Sequence, residues 1–101
     1  MVHLWKLLGR LPVPVADVLE WGRWFATADR TVARDEIDGF VISTVFLGVG
    51  HADGMVEPQL FETMVFRGIS STWCERCSTW DQALEQHRTV LDRVKGELGI
   101  A

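Results

Sequence analysis

The sequence predicts an α+β fold: a three- to four-stranded antiparallel meander with two helices packed on one face, in the order α-β-β-β-(β)-α. Three observations predict it. Asp38-Gly39 stands between two strand-like runs, Thr31 to Ile37 and Phe40 to Leu47. It is the strongest short-range hairpin signal, because both central positions of a type I′ turn need positive φ. Apolar residues recur at helical spacing in two places, around Val18–Ala28 and Ala83–Val94. Between those places lie sequential strand patterns, which favour a meander with helices layered on it.

In chain order, Val2, Leu4, Leu7, Leu8 and Leu11 fit either a short strand or one turn of amphipathic helix. Pro12-Val13-Pro14 is expected to stop whatever precedes it. Residues 1–14 are therefore read as a peripheral N-terminal segment of a single domain spanning 1–101. The first helix runs from Asp17 to about Ala28. Asp17 and Glu20 have capping-box spacing, and Val18, Trp21, Phe25 and Ala28 form its stripe. Core packing is favoured over a stacking platform for these tryptophans.

The two-residue turn sets the hairpin register: Ile37 faces Phe40, Asp35 faces Ile42, and Ala33 faces Thr44. The second strand is apolar on both faces and is placed centrally; the more polar first strand is placed at an edge. Gly48 to Gln59 reads as a loop, with its three glycines and one proline. Leu60 to Arg67 reads as the third strand. Gly68 to Arg76 is a turn or second loop, with a short fourth strand near Cys74 to Ser78. Ser78 or Thr79 then caps the last helix, which runs to about Lys95 and ends at Gly96 or Gly99. Its apolar face is Ala83, Leu84, His87, Val90, Leu91 and Val94, extending to Leu98.

Composition bounds the function. A chain of 101 residues with 48% hydrophobic content, five Trp and five Phe can build one core without metal or disulfide staples. Ten basic against fourteen acidic residues disfavour nucleic acid and an anionic membrane as partners. No apolar run approaches the ~20 residues of a membrane span. No signal-peptide pattern is found either, so a cytoplasmic protein with reduced cysteines is expected.

Three residues could carry chemistry. Glu62 shares a strand face with Leu60, Met64 and Phe66. If that face is buried, its carboxylate needs a partner; if the opposite face is buried, Glu62 is solvated. His87 lies on the apolar stripe of the last helix, with Glu62 as the expected carboxylate neighbour. His51 sits in the glycine-rich loop. Two imidazoles and a carboxylate could hold a metal with an open position, which makes a metal-assisted hydrolase the alternative to a ligand-binding cluster. No compact ligand motif supports that alternative, and no cofactor is expected. Cys74-Glu75-Arg76-Cys77 supplies only half a zinc site and lacks the redox βαβ context, so two ordinary thiols are expected.

The segments STVFLG (43–48), His51, LFETMVF (60–66) and STWxxALxxH (78–87) resemble a family of small proteins of unassigned function from actinobacterial phages and prophages. The resemblance spans roughly residues 15–95. Family members carry an acidic or amide residue where this chain has Gly50, Gly where it has Arg67, and an aromatic where it has Cys77. The resemblance implies a phage context and falls on His51, Glu62 and His87. The expectation is thus a phage-encoded accessory protein in the cytoplasm of an infected or lysogenic bacterial host. It would bind a host protein or a small molecule without catalysis. The apolar N-terminus makes a homodimer as good an expectation as a monomer.

Overall fold

A computed structural model describes residues 2–51 and 57–99, with the backbone alone for Val2 and His51. The elements in order are β1 (Val2–Leu8), β2 (Leu11–Val15), α1 (Val18–Thr27), β3 (Thr31–Ile37), β4 (Phe40–Phe46), β5 (Val49–His51), β6 (Phe61–Arg67), β7 (Ser70–Cys77) and α2 (Trp80–Glu97). The fold is α+β. The expected meander is a four-stranded antiparallel sheet in the order β3-β4-β6-β7, with β4 inside and β3 at an edge.

Asp38 and Gly39 have φ of 49° and 84°, the pair of positive values a type I′ turn requires. The register follows: Ile37 pairs with Phe40, Asp35 with Ile42, and Ala33 with Thr44. Both helix caps form. Asp17 accepts from the amides of Leu19 and Glu20. Glu20 does not complete the box; its carboxylate pairs with Lys6 of β1 at 3.1 Å. Thr79 and Gln82 make a reciprocal capping box, and α2 ends before Gly99, whose φ is 73°.

The N-terminus departs from expectation. The Pro-Val-Pro stretch does not stop a segment but forms β2, the edge of a second antiparallel sheet ordered β2-β1-β5. Proline lacks an amide donor, so it fits an edge strand whose outer side needs none. The supposed loop also contributes a strand: Val49 and Gly50 pair with Leu4 and His3. Gly48, at φ 77°, turns the chain out of β4 and into β5. The segment is not peripheral, since Trp5 and Leu7 pack on a core cluster of Phe46, Leu60, Phe61 and Ala83.

α2 lies along the meander, while α1 sits against β1 and β2. The Trp21 indole N–H reaches the carbonyls of Trp5 (2.9 Å) and Gly48 (3.1 Å), tying α1 to the point where the chain changes sheets. Trp24 meets Phe46 edge-on at 5.9 Å and so joins α1 to the meander. A second cluster, Ile42, Val65, Val90 and Val94, fills the other half of the space under α2.

Candidate functional site

The strand register decides which side chains can meet. Residues paired across an antiparallel ladder share a face. Ile42, Thr44 and Phe46 therefore share the α2 face with Phe61, Thr63 and Val65. Val41, Ser43 and Val45 share the opposite face with Phe66, Met64 and Glu62.

His87 enters the α2 face between the two apolar clusters. Its Nε2 lies 2.7 Å from Asp35 Oδ2, and its Nδ1 lies 2.7 Å from Thr44 Oγ1. Thr44 Oγ1 is 2.7 Å from Thr63 Oγ1, which in turn is 3.1 Å from Gln86 Oε1. Gln86 Nε2 donates to the Arg76 carbonyl at 3.3 Å, which fixes the amide orientation. Proton counting then gives the relay a direction. Thr63 donates to Gln86, so Thr44 must donate to Thr63. The Thr44 oxygen can only accept from His87, so Nδ1 carries a hydrogen, and Nε2 faces the Asp35 carboxylate at the far end of the relay.

This order of groups, carboxylate to imidazole to hydroxyl, has the connectivity of a nucleophile-activating triad. Its burial argues for a different role. Thr44 and Thr63 have no solvent exposure, and His87 has 5%. The Thr44 hydroxyl is closed off from solvent. The chain is a polar belt across the core: Ile42, Val65 and Val90 lie on one side, Phe46, Phe61 and Ala83 on the other. Such a belt fixes how α2 registers on the sheet, because a slip would bury its donors against apolar side chains.

Glu62 is on the other face of the sheet. It is not the partner of His87; that partner is Asp35. Glu62 accepts from Arg76 Nε at 2.8 Å and from the Cys74 thiol at 3.2 Å. Phe61, Thr63 and Val65 are the residues facing α2, yet Glu62 is only 9% exposed, packed among its strand neighbours. Burial and the Glu62 carboxylate hold the Cys74 thiol above its ordinary pKa, which keeps it protonated and a poor nucleophile. Cys77 points the other way, into the cluster around Phe61, and burial raises its thiol pKa as well. Opposed directions separate the CxxC pair as a chelate. Both thiols are free.

The expected cluster of His51, Glu62 and His87 is thus not assembled as a unit. Glu62 and His87 are divided by the backbone layer of the sheet. The His51 backbone belongs to β5, and its side chain lies outside the described residues. Among the described residues no group of three His, Cys, Asp or Glu side chains could hold a metal ion.

No protein-family model matches this chain, and no curated protein or solved structure does so either.

The outer face of the meander carries the feature that single-residue reading missed. Val41 and Val45 on β4 stand beside Phe66 and Met64 on β6, all half-buried, and no described element packs over them. The rim is charged: Arg34 and Glu36 on β3, joined at 3.1 Å, and Arg76 with Glu62 on the β7 side. The signal was present in the sequence, because β4 is apolar on both faces and only one face is taken by α2. Among the described residues no helix is long and apolar enough to cross a membrane.

Proposed function

We propose that this chain is a binding protein without catalysis, encoded by a phage, and that it docks a host protein on the outer face of its four-stranded sheet. The observation that carries the reading is the patch of Val41, Val45, Met64 and Phe66 around Ser43, uncovered by any described element, inside a rim of Arg34, Glu36 and Arg76. An apolar centre inside a polar rim is the anatomy of a protein interface, and contiguous apolar surface of this kind marks an interaction site. The rim has as many positive as negative groups once Glu62 is counted, which suits a protein surface better than a polyanion. Burial of the Thr44 hydroxyl and the His87 ring supports binding over nucleophilic chemistry. The phage context rests on the LFETMVF and STWxxALxxH resemblance. The metal-assisted alternative has no comparable support, because Glu62 and His87 face opposite ways.

The test is capture from host extract on immobilised protein, comparing wild type with Phe66→Glu. Phe66 is only partly exposed, so the change places a charge at the interface centre, and an unchanged far-UV circular dichroism spectrum is required to show that the variant is folded. A partner held by wild type and lost by Phe66→Glu supports the reading. That partner should also slow alkylation of Cys74, which lies on the same face. A partner held equally by both, or none at all, counts against it. Self-association lost in Phe66→Glu would identify a second copy of this chain as the occupant.

A further inference from the structure

A groove opens on the other side of the sheet, between β7 and the last turns of α2. Its floor is Phe40 and Val65 from the sheet and Val90, Val94 and Leu98 from the helix. One wall is Trp73, a large aromatic left 40% exposed. The cause is local. Thr72 is an extra residue in β7, so the register shifts between Val65 and Phe66 and Trp73 is set opposite Val65. The groove measures ≈ 390 Å³, within the range of small-molecule sites.

Its rim carries two guanidiniums. Arg67 lies over the Phe40 ring at 5.0 Å, and Arg93 lies over the Trp73 ring at 4.8 Å. Neither is in an ion pair among the described residues. A guanidinium held over a ring and outside any ion pair keeps N–H donors for an acceptor, which suits recognition of a carboxylate. Glu97 also lines the groove, so the rim sums to a single positive charge. That balance favours a monoanion over a phosphate dianion or a nucleic acid. On a chain of net charge −4 this positive rim is a local exception.

We propose that this groove binds a small molecule with a flat apolar body and one carboxylate: the body against Trp73 and Val94, the carboxylate between Arg67 and Arg93. The site is independent of the protein-docking face, which lies across the sheet.

The experiment titrates the whole chain with naphthoate and with its neutral counterpart, naphthalenemethanol, following the tryptophan indole N–H resonances by NMR. Naphthoate should shift the Trp73 resonance saturably and bind roughly tenfold tighter than the alcohol, the worth of one charge-assisted contact. Arg93→Gln should bring naphthoate down to the affinity of the alcohol. Thr72→Trp, which fills the groove, should abolish both. The remaining indole resonances report that each variant is folded. Equal affinity for acid and alcohol would overturn the proposal. So would naphthoate binding that leaves Trp73 unmoved, or the absence of any saturable shift. Phe66→Glu should bind naphthoate as wild type does, so failure of one site is distinguishable from failure of the other.

Discussion

Thr44 has no solvent exposure and uses both of its hydrogen-bonding roles inside the interface between sheet and helix. Replacing it with valine keeps the shape and removes the hydroxyl. His87 Nδ1 and the Thr63 hydroxyl then lose their partner with no water to replace it. Thr44→Val should therefore lower stability by about 1–3 kcal/mol, the cost of buried polar groups left unmade. Urea unfolding at unchanged m-value is the measurement, and an unchanged midpoint would show that the belt is not coupled as described. The same belt requires a hydrogen on His87 Nδ1. Imidazole ¹⁵N shifts should show Nδ1 protonated in wild type, and a bare Nδ1 would reverse the inferred direction of the relay. His87 was legible as a buried histidine from its place on the helix stripe, but its carboxylate was not. The hairpin register already put Asp35 beside Ile42, on the buried face of an edge strand. A charged residue facing inward there was the overlooked signal. Glu62, nearer in pattern, faced the wrong way by a strand period of two.

At the scale of elements, Gly48 is constrained by its backbone and by its neighbours. Its φ of 77° turns the chain from β4 into β5, and an added Cβ would stand 3.4 Å from Phe25 and from the Trp21 indole. Gly48→Ala is expected to cost about 1–2 kcal/mol from the left-handed backbone alone. The loss should be seen as a lower urea midpoint and as faster amide exchange where β5 pairs with β1. Exchange unchanged in that pair would show that the bend tolerates a side chain. The elements that local chemistry dictates were readable beforehand: the Asp38-Gly39 turn with its register, the Asp17 cap, a second cap at Ser78 or Thr79 that falls on Thr79, and the central place of β4. Elements that depend on a distant partner were not. β5 is three residues long and exists because β1 lies beside it. β2 carries two prolines and pairs through one edge only, with β1, leaving its other edge unpaired among the described residues. In β7 the bulge at Thr72 breaks the alternation that would have marked a full strand, which left Trp73 in an apparent loop and hid the groove.

Across the whole molecule, one strand path joins two sheets. β4 runs through Gly48 into β5, and Trp5 and Leu7 of β1 pack against Phe46 and Phe61 of the meander. The N-terminal hairpin thus completes a core that the meander and α2 leave open at one end. If that is so, the two sheets open together rather than as separate units. Trp5→Ala tests it. Loss of a large, partly buried aromatic should cost about 2–4 kcal/mol, somewhat below the range for fully buried aromatics. In a single cooperative unit the cost reaches every slowly exchanging amide, so native-state hydrogen exchange in β4 and β6 should accelerate by the same factor as in β1. Acceleration confined to β1, β2 and β5, with β4 and β6 unchanged, would mean that the meander and α2 stand alone. The N-terminal sheet would then be a separately opening flap. The distinction bears on the proposed function, because the proposed docking face and the groove both lie on the meander. In the cooperative case a change as far away as Trp5 weakens both sites only by unfolding them, and binding per folded molecule stays at the wild-type value.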